Sequence, residues 1–439
     1  MQENIKPEKI KKDNKQKKIA ITLSILTVLL LAGIYLFTSF ATFQENKKFN
    51  VINGTVEDPG DIYFAYYVDN TITRNLPSKD SGYTIDTSKS NCTNGVTVGW
   101  DQTNWTALVN YSNYSATDYT RTKCNLYFKK SAAATITELA QTDTTNLATD
   151  DYNNVRYIGA DPNNYVSFDG DIWRIIGVMK NIDDGNGNKE NRLKIIRKTS
   201  ITAIAYDSSA SSINNGYGTN EWSSSKIMKL LNPGYESETV GGSLYWNSKS
   251  GKCYSGTKNS TTSCNFTSAG MNDKLKSLIG NAVWNTGAIT TLSQTSSNYY
   301  KEKHGTSTGK ICTSGTSCND TVTRTTTWTG KVGLMYPSDY GYATAGGSTT
   351  SRATCLTKEL NTYDGECFTN QWTPVSTNRY IWTLSPFATS SNAYTVVNID
   401  GRVILSDQYV GTLLPSAYLL SSVSIKSGDG SSSNPYIIE

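Results

Sequence analysis

Apolar positions along this chain fall into one long block followed by many short ones. From Ile19 to Phe43 runs an uncharged, mostly apolar stretch of 25 residues. A helix of that length, rising about 1.5 Å per residue, spans a hydrocarbon core of about 30 Å with its backbone groups satisfied internally. The later blocks have the length and composition of strands. Residues 61–68 form an aromatic strand closed by Asp69 and Asn70, and residues 96–100, 105–109 and 124–128 are each rich in aromatic or β-branched side chains. Residues 165–168, a turn at 169–171 and residues 172–179 read as a hairpin, and a second hairpin leads to residues 192–197. Strands return at 380–383, 394–399, 402–405 and 436–438. Two stretches carry a helical period instead. Residues 223–231 have serine caps and an apolar stripe of Ile227, Leu230 and Leu231, and residues 272–279 place Leu275, Leu278 and Ile279 on one face. The fold class expected is mainly β with minor α, with long Gly/Ser/Thr-rich loops.

Charge orients the apolar block. Lys6, Lys9, Lys11, Lys12, Lys15, Lys17 and Lys18 precede it against Glu3, Glu8 and Asp13, and such positive flanks stay cytoplasmic. Residues 1–18 therefore read as a cytoplasmic tail and 19–43 as a signal anchor in membrane lipid, with the remainder exported. A cleaved secretory signal is the alternative, but its apolar region is usually about 7 to 15 residues and ends at a small-residue site. The tail holds 7 basic and 3 acidic residues of the chain's 41 and 37, so the exported portion is neutral. It offers no basic patch for nucleic acid.

Cysteine usage points to the same compartment. All eight cysteines follow the anchor, and their even count and close spacing suit disulfides. The simplest connectivity joins neighbours: Cys92 with Cys124, Cys253 with Cys264, Cys312 with Cys318, and Cys355 with Cys367. Eight cysteines permit 105 pairings, so spacing alone leaves others open. No close cysteine pair has zinc-ligand spacing, and no metal or cofactor is expected.

The exported residues exceed one typical domain of about 100–200 residues. A β-sandwich spacer is expected over 48–130, tied by the Cys92–Cys124 bridge. Residues 131–151 are small and polar and read as a linker or a short helix, and a larger domain is expected over 152–439. Within it, Asp183, Asp184 and the Gly/Asn residues up to Asn188 superficially suggest a calcium loop. Lys189 stands where the loop's glycine would fall if Asp184 were the first ligand, and turn chemistry accounts for the composition.

Catalytic constellations are sparse. The one histidine, His304, would have to serve any Ser-His or Cys-His mechanism, and its setting between Lys303 and Gly305 reads as a solvated loop. Carboxylates paired by the fold for glycoside hydrolysis are the enzymatic alternative. The favoured ligand site is the cluster Tyr336, Asp339, Tyr340, Tyr342 and Trp382, because tyrosine and tryptophan stack on sugars and anchor protein partners. The competing reading has these side chains filling the core or bracing loops.

The landmarks of the larger domain carry a resemblance. Trp173 to Gly177, Trp222 with Ser225 and the Leu231-Asn232 helix end, the turn from Tyr336 to Asp339, Trp382 to Pro386, Val397 to Gly401, and Val423 to Gly430 with Asn434 to Tyr436 form one series. Together they resemble an uncharacterised extracellular domain of membrane-anchored surface proteins from low-GC gut bacteria. That resemblance implies a fold related to C-type lectin-like domains and to formylglycine-generating enzymes, with two short helices and long loops. It implies no established activity, and the sugar-binding calcium motifs of true C-type lectins are absent. The function expected is a surface protein binding an extracellular glycan or protein ligand through this domain, not an enzyme. A cell-envelope hydrolase or a purely structural envelope component are the alternatives.

Overall fold

The computed structural model describes residues 62–115, 121–304, 320–373, 379–391, 394–406 and 410–439. The expected anchor from Ile19 to Phe43, the start of the expected spacer and the expected Cys312–Cys318 bridge lie outside them. Among the described residues no helix is long and apolar enough to cross a membrane. The chain is mainly β, with 36% of residues in strands against 15% in helices, as the alternating blocks lead one to expect.

The described residues divide into two compact units, one holding residues 62–64 and those described between Ser90 and Cys124, the other Ala65–Lys89 and those described from Asn125 onward. The division therefore does not fall in residues 131–151. In the smaller unit, the strands Thr97–Asp101 and Thr106–Asn110 pair as a hairpin, with Trp100 opposite Ala107. Val96, Val109 and Cys124 make a small core there, and Cys92 is bonded to Cys124. So few apolar residues bury little surface, and the bridge offsets that by limiting the unfolded chain.

The larger unit is built on a sheet of nine strands among the described residues. Its order is Val332–Gly333, Ser416–Tyr418, Lys189–Arg197, Asp171–Asp183, Tyr165–Phe168, Tyr436–Ile438 and Ile425–Ser427, with Leu147–Thr149 and Val155–Tyr157 attached beside Asp171–Asp183. Both expected hairpins are present, with Val166 opposite Trp173 and Ile175 opposite Ile195. The register then jumps to Gly177 opposite Lys194, leaving Ile176 as an extra residue, which bends and twists the strand locally. Gly177 meets a second demand at this bulge. A Cβ there would lie 2.0 Å from the Val155 carbonyl oxygen, so only glycine lets the Val155–Tyr157 strand pair against it.

Of the two readings of residues 131–151, the short helix is the one present. Ser131 accepts a hydrogen bond from the Ala134 amide and caps the helix Ala132–Leu139, which buries Ala132, Ala133 and Ile136 in the main core with Leu147. Small residues allow this close helix packing, although their polarity and size resemble a linker in sequence. Lys226–Leu231 and Asp273–Leu278 form as expected, capped by Ser225 and Asn272. Among the described residues four further helices are Ser296–His304, Pro337–Tyr342, Arg352–Thr357 and Gly365–Thr369; the first two arise in Ser/Tyr-rich stretches with weak intrinsic propensity, and the last two are only six and five residues long. His304 thus stands at a helix end rather than in an open loop.

A second sheet orders Thr202–Ile204, Gly411–Leu413, Ile381–Pro386, Tyr394–Val397 and Val403–Ser406. Disulfides join Cys253 to Cys264 across the hairpin of Ser250–Tyr254 with Thr261–Asn265, and Cys355 to Cys367 between two short helices. Three neighbour bridges are therefore present as expected.

Candidate functional site

Four of the five residues expected to bind ligand belong to one structural unit. Tyr336 is the N-cap of the helix Pro337–Tyr342, Pro337 supplies a ready-set first position, and the Asp339 carboxylate accepts the Tyr336 amide at 2.9 Å. The turn from Tyr336 to Asp339 is thus a helix start whose carboxylate is aimed inward. Every one of these side chains is enclosed. Tyr336, Tyr340 and Tyr342 are at most 1% exposed and Asp339 is 3% exposed, so the rings offer no open face for stacking on a ligand.

Their polar tips bind protein groups instead. The Tyr336 hydroxyl accepts the Asn285 amide at 2.9 Å, and the Tyr340 hydroxyl donates to the Gly401 carbonyl at 2.6 Å. Burial raises the hydroxyl pKa of Tyr336, Tyr340 and Tyr342 alike, keeping all three neutral. Trp382 lies in a different aromatic group, on the second sheet. Its ring stands edge-on to Tyr206 at 5.5 Å, and its indole N–H donates to the Ile204 carbonyl at 3.1 Å.

The carboxylate of Asp339 is the centre of a charge network that single-residue motifs do not disclose. Its Oδ2 lies 2.6 Å from Lys194 Nζ, and its Oδ1 lies 2.8 Å from Arg156 Nη1. Arg156 Nε in turn lies 2.8 Å from Asp150 Oδ2. Asp150 also accepts the amides of Tyr152 and Asn154 at 2.9 and 3.0 Å, so its second oxygen is held by the turn it closes. Side chains of all four are 3% exposed or less. Two cations and two anions cancel, which meets the requirement that buried charges be paired.

Aromatic rings line both cations. Lys194 Nζ lies 4.2 Å from the Tyr336 ring centroid, 5.2 Å from that of Trp284 and 5.4 Å from that of Tyr418. The Arg156 guanidinium lies over Tyr342 at 5.1 Å and Tyr300 at 5.7 Å. Such faces attract desolvated cations. Burial opposes ionisation of Asp339, but Lys194 and Arg156 outweigh it and hold the carboxyl down at about 2. Burial lowers the Lys194 pKa, with Asp339 opposing that fall, while the two aspartates together raise that of Arg156 over the burial cost.

The sequence does contain a trace of this network: Lys194 interrupts an apolar run from Leu193 to Ile196, and Arg156 sits between Val155 and Tyr157. A lone charge inside a strand that is otherwise buried requires a counter-charge, although the partner's identity is set by the fold.

The outer layer near the helix is polar. Glu366 accepts the amides of Ser348, Thr349 and Thr350 and the hydroxyls of Ser348 and Thr349, all at 2.6–3.0 Å. The Thr349 hydroxyl leads the groups that lower its pKa to about 2. A Cβ at Gly347 would lie 2.3 Å from the Glu366 carboxyl carbon, so glycine leaves room for this contact. In the loop that superficially suggests a calcium site, Asp183 accepts the Gly185 amide at 2.8 Å and Asp184 accepts the Asn186 amide at 2.7 Å. Both carboxylates serve as turn closures. Among the described residues no three His, Cys, Asp or Glu side chains converge as a metal site. No family model matches the chain, and neither a curated protein nor a solved structure shows significant similarity to it.

Proposed function

We propose that this chain is a single-pass protein of the cell exterior, anchored from Ile19 to Phe43, whose larger unit binds a glycan or protein ligand through its disulfide-braced loops. The observation that carries this reading is the Cys355–Cys367 bridge together with the Glu366 contacts, which hold a polar loop surface over a rigid core. Exposed Ser348, Thr349, Ser351 and Thr354 supply hydrogen-bonding groups there. Rigid display of polar groups reduces the ordering cost of binding. Tyr336, Asp339, Tyr340, Tyr342 and Trp382 are buried, and in this reading they brace the core rather than touch the ligand. The lectin-like relationship inferred from the landmark residues belongs to the same proposal, as does the outward placement of the disulfides.

An envelope hydrolase is less well supported. Asp150 and Asp339 are brought near one another, but Arg156 bonds both, and both are sealed from substrate. Full-length protein displayed on cells tests the proposal. Proteases added to whole cells are expected to remove the larger unit, and a glycan and protein array is expected to show binding that Glu366→Ala weakens at least tenfold. Protection of that unit from the proteases, or an array with no binder for disulfide-intact protein, refutes it.

A further inference from the structure

Lys194 and Asp339 differ in one respect from every other lysine–carboxylate pair among the described residues. Both members are enclosed, at 1% and 3% exposure, whereas the lysine side chains of the other pairs are 21–64% exposed. Water therefore competes for the amine in those pairs and is excluded here. We infer that Lys194 and Asp339 condense after folding into an intramolecular amide, a covalent cross-link between the strand Lys189–Arg197 and the helix Pro337–Tyr342.

Four features of the site support the step. Nζ is held 2.6 Å from Oδ2, and Trp284, Tyr336 and Tyr418 surround the amine with ring faces. Such fixed intramolecular contact spares the pair the entropy of encounter. Arg156 Nη1, 2.8 Å from Oδ1, is placed to stabilise negative charge that develops on that oxygen when the carboxyl carbon becomes tetrahedral. The charge balance also survives the reaction. Loss of the Lys194 and Asp339 charges leaves Arg156 with Asp150 at 2.8 Å, so no buried charge is stranded.

The chemistry needs no further reactant. Within the ion pair one ammonium proton passes to the carboxylate, giving amine and acid. The amine lone pair forms the N–C bond at Cγ, the C–Oδ2 bond breaks, and that oxygen departs as water with a second proton from the nitrogen. One ammonium and one carboxylate become one secondary amide and one water, with no change in oxidation state. The product removes an ion pair whose desolvation opposed folding.

Peptide mapping of the purified full chain, reduced and denatured, decides the matter. Trypsin cleaves after Arg192, Arg197, Lys331 and Arg352. The cross-link predicts a branched peptide joining residues 193–197 to residues 332–352, uncleaved at Lys194 and lighter by one water than the two parts together. Separate linear peptides, with cleavage after Lys194, overturn the inference, and this reading requires only the unmodified protein. A Lys194→Arg chain, which keeps the charge and cannot condense, is expected to yield residues 332–352 as a linear peptide. A branched peptide persisting in that variant would assign the bond to another residue and equally overturn the inference.

Discussion

Replacing Arg156 by methionine tests the charge network most directly. The guanidinium is 1% exposed and lies 2.8 Å from each of two aspartates, so its loss strands Asp150 with only backbone amides and the Asn154 side chain as partners. Breaking a buried ion pair from one side costs about 3–5 kcal/mol. The packing of Arg156 over Tyr342 and Tyr300 adds about 1 kcal/mol, partly recovered by the methionine stem. Set against a domain stability of about 5–15 kcal/mol, that loss is severe. Adding Asp150→Asn removes the stranded charge while its carbonyl oxygen can still accept the Tyr152 and Asn154 amides, so the double variant is expected to recover more than half of the loss. Guanidinium titration of the full chain in detergent, followed by the fluorescence of buried Trp222, Trp284 and Trp382, measures both. A single variant destabilised by less than about 1 kcal/mol, or a double variant no more stable than the single, refutes the account.

Other consequences are equally open to measurement. Glu366 has a depressed pKa, so its contribution is present above the ordinary value of 4.5 and is lost as pH falls towards about 2. Hydrogen exchange at the amides of Ser348, Thr349 and Thr350 should accelerate across that window, and Glu366→Gln should make their exchange insensitive to pH there beyond its intrinsic rate. Gly177→Ala drives a methyl into the Val155 carbonyl and should cost about 1–3 kcal/mol by denaturant titration, whereas Gly170→Ala meets no atom within 4 Å and is limited to backbone strain at a positive φ. Tyr340→Ser should sharply reduce the yield of folded protein, since it empties a buried ring volume and removes the bond to Gly401; normal yield would contradict the packing described.

The strand content was legible because alternation and β-branched residues act locally. The hairpin from Tyr165 to Met179 and its continuation to Arg197 could be read from turns and apolar blocks, and serine caps with an apolar stripe marked one helix and an apolar face the other. The helix Ala132–Leu139 was one of two open readings, because alanine and threonine are as much at home in a tether as against a sheet. Aromatic residues around Tyr336 were visible, but composition does not reveal whether a ring faces solvent or core. Arg156 and Asp339 are far apart in sequence, so the contact at 2.8 Å depends on a sheet and a helix meeting in space.

The last described strand, Tyr436–Ile438, lies parallel to Tyr165–Phe168, with Tyr436 opposite Val166. An early edge of the main sheet therefore waits for a segment synthesised long afterwards. Closure of so distant a loop is entropically slow, and the open edge meanwhile presents unpaired amides and carbonyls to any neighbouring chain. During biogenesis, protection of that edge is a requirement imposed by topology, whatever ligand the finished molecule meets.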